Sequence, residues 1–265
     1  MRVSVIFPAY NEEANIEKTI ARSLEALKGL CAKFEILIID DASRDRTGLI
    51  ADELSAEHPE VRVLHNQINM GQGASLVKGF QNATYDLVIH NAMDYPFDLR
   101  DLAKMLPLLD VADIVVAIRR RRPGYTLYRR MLSVVNIKLL QWLFGLRLRD
   151  YNFVQLYKKA VLTAIEVTAR SPAFVTPQIL IRAHDMGYRI KEIEIDYHPR
   201  LAGVATSGRL SVVKWSLREL LAFWLRRSWG RRRDPKKEAV QGVDVVSHPG
   251  SGFLDMPRHP ARRRR

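Results

Sequence analysis

The stretch Val3-Ser4-Val5-Ile6-Phe7-Pro8-Ala9-Tyr10-Asn11-Glu12-Glu13 changes character halfway along its length. Its first five residues form a β-branched and aromatic run that fits a buried strand, and the polar cluster after it marks where such a strand ends. Further on, Ile16, Ile20, Leu24 and Leu27 recur at helical spacing, and Gly29 stands where the helix should stop. Asn11 is the expected N-cap, which puts Glu12 and Glu13 in a first turn where the helix dipole favours acids. Strand, polar loop and helix in that order form the opening unit of a βαβ layered fold.

The same alternation continues outward from this unit. Phe34 to Ile39, Val61 to Leu64, Leu87 to His90 and Ile114 to Ile118 read as strands, with helical periods between them. Ile193, Ile195 and Tyr197 alternate with Glu194 and Asp196, the mark of a half-buried strand near the edge of a mixed sheet. No repeat or linker divides residues 1–208, so the expectation is one α/β domain with a central, mostly parallel mixed sheet flanked by helices. In residues 209–228, Leu210, Val213, Leu217, Leu220, Leu221 and Trp224 fall on one stripe, with Lys214, Arg218, Arg226 and Arg227 elsewhere on the wheel. This amphipathic helix either packs on the core or lies on a membrane surface. Met131 to Leu146 carries the same ambiguity, with Leu132, Val135, Leu139 and Trp142 on one stripe.

The chain has 265 residues, 47% of them apolar, enough for a real core. No apolar stretch reaches the roughly 20 residues of a membrane span, and the N-terminus lacks the apolar region of a signal peptide, so a cytoplasmic location is expected. The single cysteine, Cys31, reads as a small buried residue. Of the net charge of +13, residues 226–265 carry +8 (12 Lys and Arg against 4 Asp and Glu). Residues 229–265 read as a basic disordered tail, and basic residues gathered in a tail with no nucleic-acid module argue against a nucleic-acid partner.

Polar clusters follow four strands in order: Pro8 to Glu13, Asp40 to Ser43, Asn66 to Gly73, and His90 to Asp94. Ligands of parallel α/β sheets gather at these carboxyl ends. Here the sequence resembles the family-2 glycosyltransferases of the GT-A fold, and within them the polyprenyl-phosphate (dolichol-phosphate) sugar transferases. The resemblance rests on PAYNEE at 8–13, IDDAS at 39–43, N-x-G-x-G at 69–73 and YHPRLAG at 197–203, and it spans residues 1–208. It implies a Rossmann-like GT-A domain with the donor nucleotide held at Pro8, Tyr10, Glu12, Asp41, Gly71 and Gly73.

In the family an Asp-x-Asp usually holds Mg²⁺ or Mn²⁺; here His90 and Ala92 stand at those positions and Asp94 stands where a Gln would be. Residues 90 and 94 share one side of an extended segment, so His90 and Asp94 are the candidate metal ligands, a pair that suits Mn²⁺ better than Mg²⁺. The opposing reading has Asp94 capping a turn and His90 packed, with no metal. Asp98 is placed to start the helix that follows. On the acceptor side the resemblance implies Arg119, Arg129, Arg130, Ser133 and Arg200, whose guanidinium forks match phosphate. In RDYNFVQLY at 149–157, which departs from the family's Gly-Phe-Arg, Asp150 and Asn152 are candidates for donor-sugar contact or for a catalytic base.

The resulting expectation is an inverting hexosyltransferase that moves a hexose from a UDP- or GDP-linked sugar to a polyprenyl phosphate. It would be peripheral at the inner membrane face, docked by the 209–228 helix and the basic tail. Alternatives are a sugar or protein hydroxyl acceptor, with Asp150 as base, or a non-catalytic nucleotide- or membrane-binding module. On the anchor reading, removing residues 209–265 releases the protein from anionic liposomes and spares nucleotide binding.

Overall fold

The computed structural model describes residues 1–120, 126–196, 210–233 and 244–245. Elements β1 (Arg2–Ala9), α1 (Ile16–Lys28), β2 (Lys33–Asp40), α2 (Thr47–Glu57), β3 (Val61–His65), α3 (Gln72–Asn82) and β4 (Leu87–His90) alternate as the apolar pattern requires. Two 3-10 turns, Leu99–Asp101 and Leu106–Asp110, flank α4 (Leu102–Met105) and lead into β5 (Ile114–Arg119). The Asp98 side chain caps the first of these turns by accepting the Arg100 N–H, as expected. Then come α5 (Leu127–Phe144), β6 (Gln155–Lys158), α6 (Lys159–Ala164), α7 (Val175–Asp185), β7 (Ile190–Ile195), α8 (Leu210–Arg233) and the two-residue β8 (Asp244–Val245).

The strand order is β3-β2-β1-β4-β6-β5-β7-β8. Every pairing is parallel except those of β6, which runs antiparallel to both β4 and β5. Ala9 pairs with Asp40 and Asp40 with His65, so the carboxyl ends of β1, β2 and β3 lie level. Because β6 is reversed, the 150–154 loop that enters it opens on the same edge of the sheet as the ends of β4 and β5.

Strand alternation sends side chains to two cores. Val3, Val5 and Phe7 of β1 join Ile16, Ile20, Leu24 and Leu27 of α1 on one face. Ile6 joins Leu76 and Phe80 of α3, Leu140 and Phe144 of α5, and Leu220 and Phe223 of α8 on the other. α8 is therefore packed on the core along one side, tied also by Arg227, whose Nε and Nη2 each donate to Asp185 at 2.6 Å. Arg227 faces inward, unlike its expected place on the basic side of the wheel. Trp142 likewise departs from the expected α5 stripe and stands 79% exposed. Among the described residues no helix is long and apolar enough to cross a membrane.

Three local expectations change. The first helix starts at Ile16 after Asn15, not at Asn11. Asn11 takes φ +54° and gives its N–H to Ser43 Oγ, so residues 11–15 form a turn and the Glu12 carbonyl accepts from Asn15 and Ile16. Glu12 and Glu13 consequently precede the helix. Cys31 is half-buried rather than buried, packed at the end of α1. The 209–228 helix extends to Arg233, and within the stretch expected to be a disordered tail Asp244 and Val245 pair with β7 as β8; the tail's other residues and the YHPRLAG segment, Tyr197 and Arg200 included, lie outside the described residues.

Candidate active site

The loops after β1 and β2 are built as one unit. Besides the Asn11 bond, the Arg44 N–H donates to Asn11 Oδ1, the Glu12 N–H to Thr47 Oγ1, the Glu13 N–H to Asp45 Oδ2 and the Arg46 N–H to Glu13 Oε2. Small polar side chains satisfy the loop amides here, which the strands can no longer reach. Pro8 is the last residue but one of β1, Tyr10 is exposed beyond the strand, and the Glu12 carboxylate accepts from Asn15 Nδ2 at 2.7 Å.

Asp41 staples the third loop to this unit. Its Oδ1 accepts from Asn66 Nδ2 at 2.7 Å and from the Met70 N–H at 2.9 Å, and its Oδ2 accepts from the Gly71 N–H at 2.7 Å. A buried carboxylate held by three donors fixes the loop that precedes α3. Gly71 takes φ +87°, where a side chain would be strained, and leads directly into the first turn of α3.

Beside this region lies a cavity of about 480 Å³. Its lining is polar at His90, Asp94, Arg119, Asp150 and Asn152 and apolar at Leu132, Val135 and Leu139 of α5 and at Val213, Leu217 and Leu220 of α8. Ser133 lines it and Gln72 of α3 joins it to the glycine loop, so the sequence candidates from three clusters meet here. Arg130 is exposed and is not on the cavity wall, and the Arg129 side chain lies outside the described residues, as does Arg200.

Arg119 and Asp150 dominate the polar lining. Arg119 Nε donates to Asp150 Oδ2 at 2.8 Å and Nη2 to Oδ1 at 3.1 Å, and the two side chains are 10% and 2% exposed. The guanidinium stacks 5.2 Å from the Phe153 ring centre. Asp150 Oδ1 also accepts the Asn152 N–H at 3.1 Å. Behind Asp150, the buried Glu192 of β7 accepts the Arg149 N–H at 2.6 Å, and burial pushes the Glu192 carboxyl above its usual range. With both oxygens committed, Asp150 is arranged to orient Arg119 rather than to take a proton from a substrate.

The metal candidates share the cavity but not the expected geometry. β4 ends at His90, and the chain turns between Ala92 and Tyr95, which has φ +52°. Residues 90 and 94 are therefore not alternate positions of one strand. Gln155 Nε2 donates to the Tyr151 carbonyl, which points Gln155 Oε1 at His90 Nε2, 2.6 Å away. That network assigns the proton to Nε2 and leaves the lone pair on Nδ1, while burial holds the imidazole neutral with a pKa of about 4. His90 and Asp94 line the same cavity, and an imidazole nitrogen and a carboxylate are donor types that suit a divalent ion. No group of three or more His, Cys, Asp or Glu able to hold a metal occurs among the described residues.

Gln155, Glu192 and Glu219 of α8 are site-building residues to which the sequence reading assigned no such role. Their partners lie across 65, 43 and about 49 residues, and no local spacing signals such contacts.

The glycosyl transferase family 2 model matches residues 4–168 of this chain. An undecaprenyl-phosphate mannosyltransferase of Micrococcus luteus is 29% identical over 234 residues, covering 82% of this chain and 95% of that protein. A polyprenol monophosphomannose synthase of Mycolicibacterium smegmatis is 29% identical over 237 residues, covering 82% and 88%. Among solved structures, glucosyl-3-phosphoglycerate synthase of Mycobacterium tuberculosis, solved with Mn²⁺, UDP and phosphoglyceric acid, aligns with a TM-score of 0.64 at 21% identity over 85% of this chain and 78% of that one. That likeness is one of fold, and it gives the layered sheet its name, GT-A. Matched by the family model over more than half its length, the chain belongs to glycosyl transferase family 2 and is a glycosyltransferase.

Proposed function

We propose that this enzyme transfers a hexose from a UDP- or GDP-linked donor to a polyprenyl phosphate, with inversion, at a membrane surface. The observation that carries the reading is the cavity itself, which joins a buried, oriented guanidinium to apolar walls from α5 and α8. A lipid phosphate likewise joins an anion to a hydrocarbon chain. The names of the relatives in Micrococcus and Mycolicibacterium, which include undecaprenyl phosphate and polyprenol, support the same acceptor class.

In this reading Pro8, Tyr10, Glu12, Asp41, Gly71 and Gly73 form the nucleotide side. Tyr10 offers a face for stacking, Asp41 fixes the loop, and the two glycines allow backbone to approach the diphosphate. Arg119 and Ser133 receive the acceptor phosphate, and Arg129, Arg130 and Arg200 are kept as further acceptor candidates on the resemblance alone. A phosphate oxygen attacks C1 of the hexose as the bond from C1 to the diphosphate oxygen breaks, and the electron pair leaves with the nucleoside diphosphate. The acceptor oxygen is already anionic near neutral pH, so no base is needed, which agrees with the commitment of Asp150 to Arg119. Asn152, whose N–H bonds Asp150 and whose Oδ1 accepts from Thr176 Oγ1 at 3.4 Å, stands at the sugar side. A divalent ion at His90 Nδ1 and Asp94 would neutralise charge on the leaving diphosphate.

The surface location is supported by apolar side chains turned away from the core. Leu127 (83% exposed), Met131 and Val134 of α5 and Leu221 and Leu225 of α8 are solvent-facing, with Lys214, Arg218 and Arg226 exposed on α8. Apolar and cationic side chains together match an anionic lipid surface.

The test is conversion of a labelled nucleotide hexose and undecaprenyl phosphate to an organic-soluble product. Arg119→Ala should lower kcat/KM for the acceptor by about 100-fold, and Arg119→Lys, which loses the fork, by about 10-fold. Wild-type rates in Arg119→Ala would remove the acceptor site from this cavity.

A further inference from the structure

The side of α8 that carries Trp215, 38% exposed, and Glu219 reaches beyond the acceptor cavity to the donor loop. The Trp215 ring lies against Gly71: a Cβ placed on that glycine would stand 3.7 Å from Trp215 Cη2 and 3.9 Å from Cζ3. One turn later the Glu219 carboxylate accepts the Arg170 N–H at 3.1 and 3.2 Å and the Ser171 N–H at 3.0 Å. The segment held in this way backs the other glycine of the loop. A Cβ on Gly73 would stand 2.1 Å from the Arg170 carbonyl oxygen and 2.9 Å from Val175 Cγ2, so backbone touches backbone there. Trp215 and Glu219 are four residues apart and share a helix face, and they meet glycines two residues apart, one directly and one through the 170–171 amides. Between them Ser216 lines the cavity, its buried hydroxyl oxygen without a protein hydrogen-bond partner.

We infer that α8 is a wall of the donor site, in which Trp215 and Glu219 are positioning residues that hold the Asn69–Gly73 loop ready for the nucleoside diphosphate. The inference rests on the reading that this loop binds the donor. A glycine loop is conformationally free by composition, and ordering it only when ligand arrives weakens binding. Asp41 fixes the loop from the sheet side and α8 fixes it from the other. The helix proposed to rest on lipid is then also required for nucleotide affinity, in contrast with the expectation that its removal spares nucleotide binding.

The experiment uses the full chain and its Glu219→Ala, Glu219→Gln, Trp215→Ala and Trp215→Phe variants, titrated calorimetrically with UDP, GDP and their hexose conjugates. Sedimentation with phosphatidylglycerol vesicles and thermal melting accompany each titration. Glu219→Ala and Trp215→Ala should weaken binding of the preferred nucleotide by roughly five- to tenfold, the scale of one lost charge-assisted hydrogen bond or ring contact. The loss should fall on donor KM more than on kcat. Glu219→Gln, which keeps an acceptor oxygen, and Trp215→Phe should stay within about twofold of the parent. Vesicle binding of Glu219→Ala should match the parent, because the outward face is untouched. Should the alanine variants not fold, failure of Glu219→Gln and Trp215→Phe to recover parent affinity would count against specific positioning. Folded alanine variants that bind nucleotide as tightly as the parent overturn the inference while leaving the donor site standing. A parent that binds neither nucleotide overturns the donor reading and the inference with it.

Discussion

At the scale of single residues, the pairing of Arg119 with Asp150 decides between two chemistries. If Asp150 were the base for a hydroxyl acceptor, Asp150→Asn would lower kcat by about 10² to 10⁴ and erase the acidic limb of the pH profile. The observed fork implies a different result. Asn at 150 still accepts from Arg119 and from the Asn152 N–H but removes the counter-charge, so acceptor KM should rise by about tenfold with the pH profile of kcat unchanged. The same change should lower stability by about 3 kcal/mol, because it leaves a buried guanidinium without its charge partner. Steady-state kinetics across pH, made below the melting temperature of the variant, separates the two. Asp150 was singled out through the resemblance, as the residue that survives in a loop departing from the family's Gly-Phe-Arg. Its partner was not, because the contact to Arg119 spans 31 residues.

At the scale of elements, the strands up to β5 were legible because each carries its own period, and every one of them lies within two residues of its observed bounds, whereas β6 and β8 were not read. The start of α1 was not. Asn11 has the chemistry of an N-cap, but its amide and side chain bond the β2 loop, a competition invisible to local pattern. An unforeseen element joint ties β3 to α2. His65 Nδ1 meets Asp40 Oδ2 and Nε2 meets Asp52 Oδ1, each at 3.0 Å, with Lys78 Nζ on the His65 carbonyl. The bonds to Asp40 and Asp52 hold the imidazolium above its ordinary 6.5. A raised folded value means the folded state keeps a proton that the unfolded state releases. The stabilisation is thus fully present below 6.5 and lost as pH rises through the folded value. The urea midpoint, followed from about pH 5.5 to about pH 9, should fall in the window above 6.5, and His65→Gln should remove that fall. A wild-type midpoint that is flat or rising there would contradict the joint.

At the scale of the whole molecule, the strand-end loops proposed to hold the donor were legible as polar clusters, and the cavity proposed for the acceptor was not. Each donor motif is local to one strand end, so its order along the chain maps onto the sheet edge. The cavity is assembled from α3, α5, α8, the end of β5 and the 150–154 loop, which only tertiary packing brings together. α8 illustrates the difference. Its amphipathic period was plain, yet the question of core or surface dissolves in the fold, because Leu220 and Phe223 pack inward while Leu221 and Leu225 face out. The joining of an oriented guanidinium to apolar walls in one cavity is the basis for assigning a lipid phosphate as acceptor. The most direct measurement offers undecaprenyl phosphate and undecaprenol together with the preferred nucleotide hexose, and reads the product by mass and by the anomeric coupling in its NMR spectrum. The account predicts a glycosyl phosphate with anomeric configuration opposite to that of the donor and no transfer to the alcohol. Transfer to the alcohol, a retained configuration, or no lipid-linked product would contradict it.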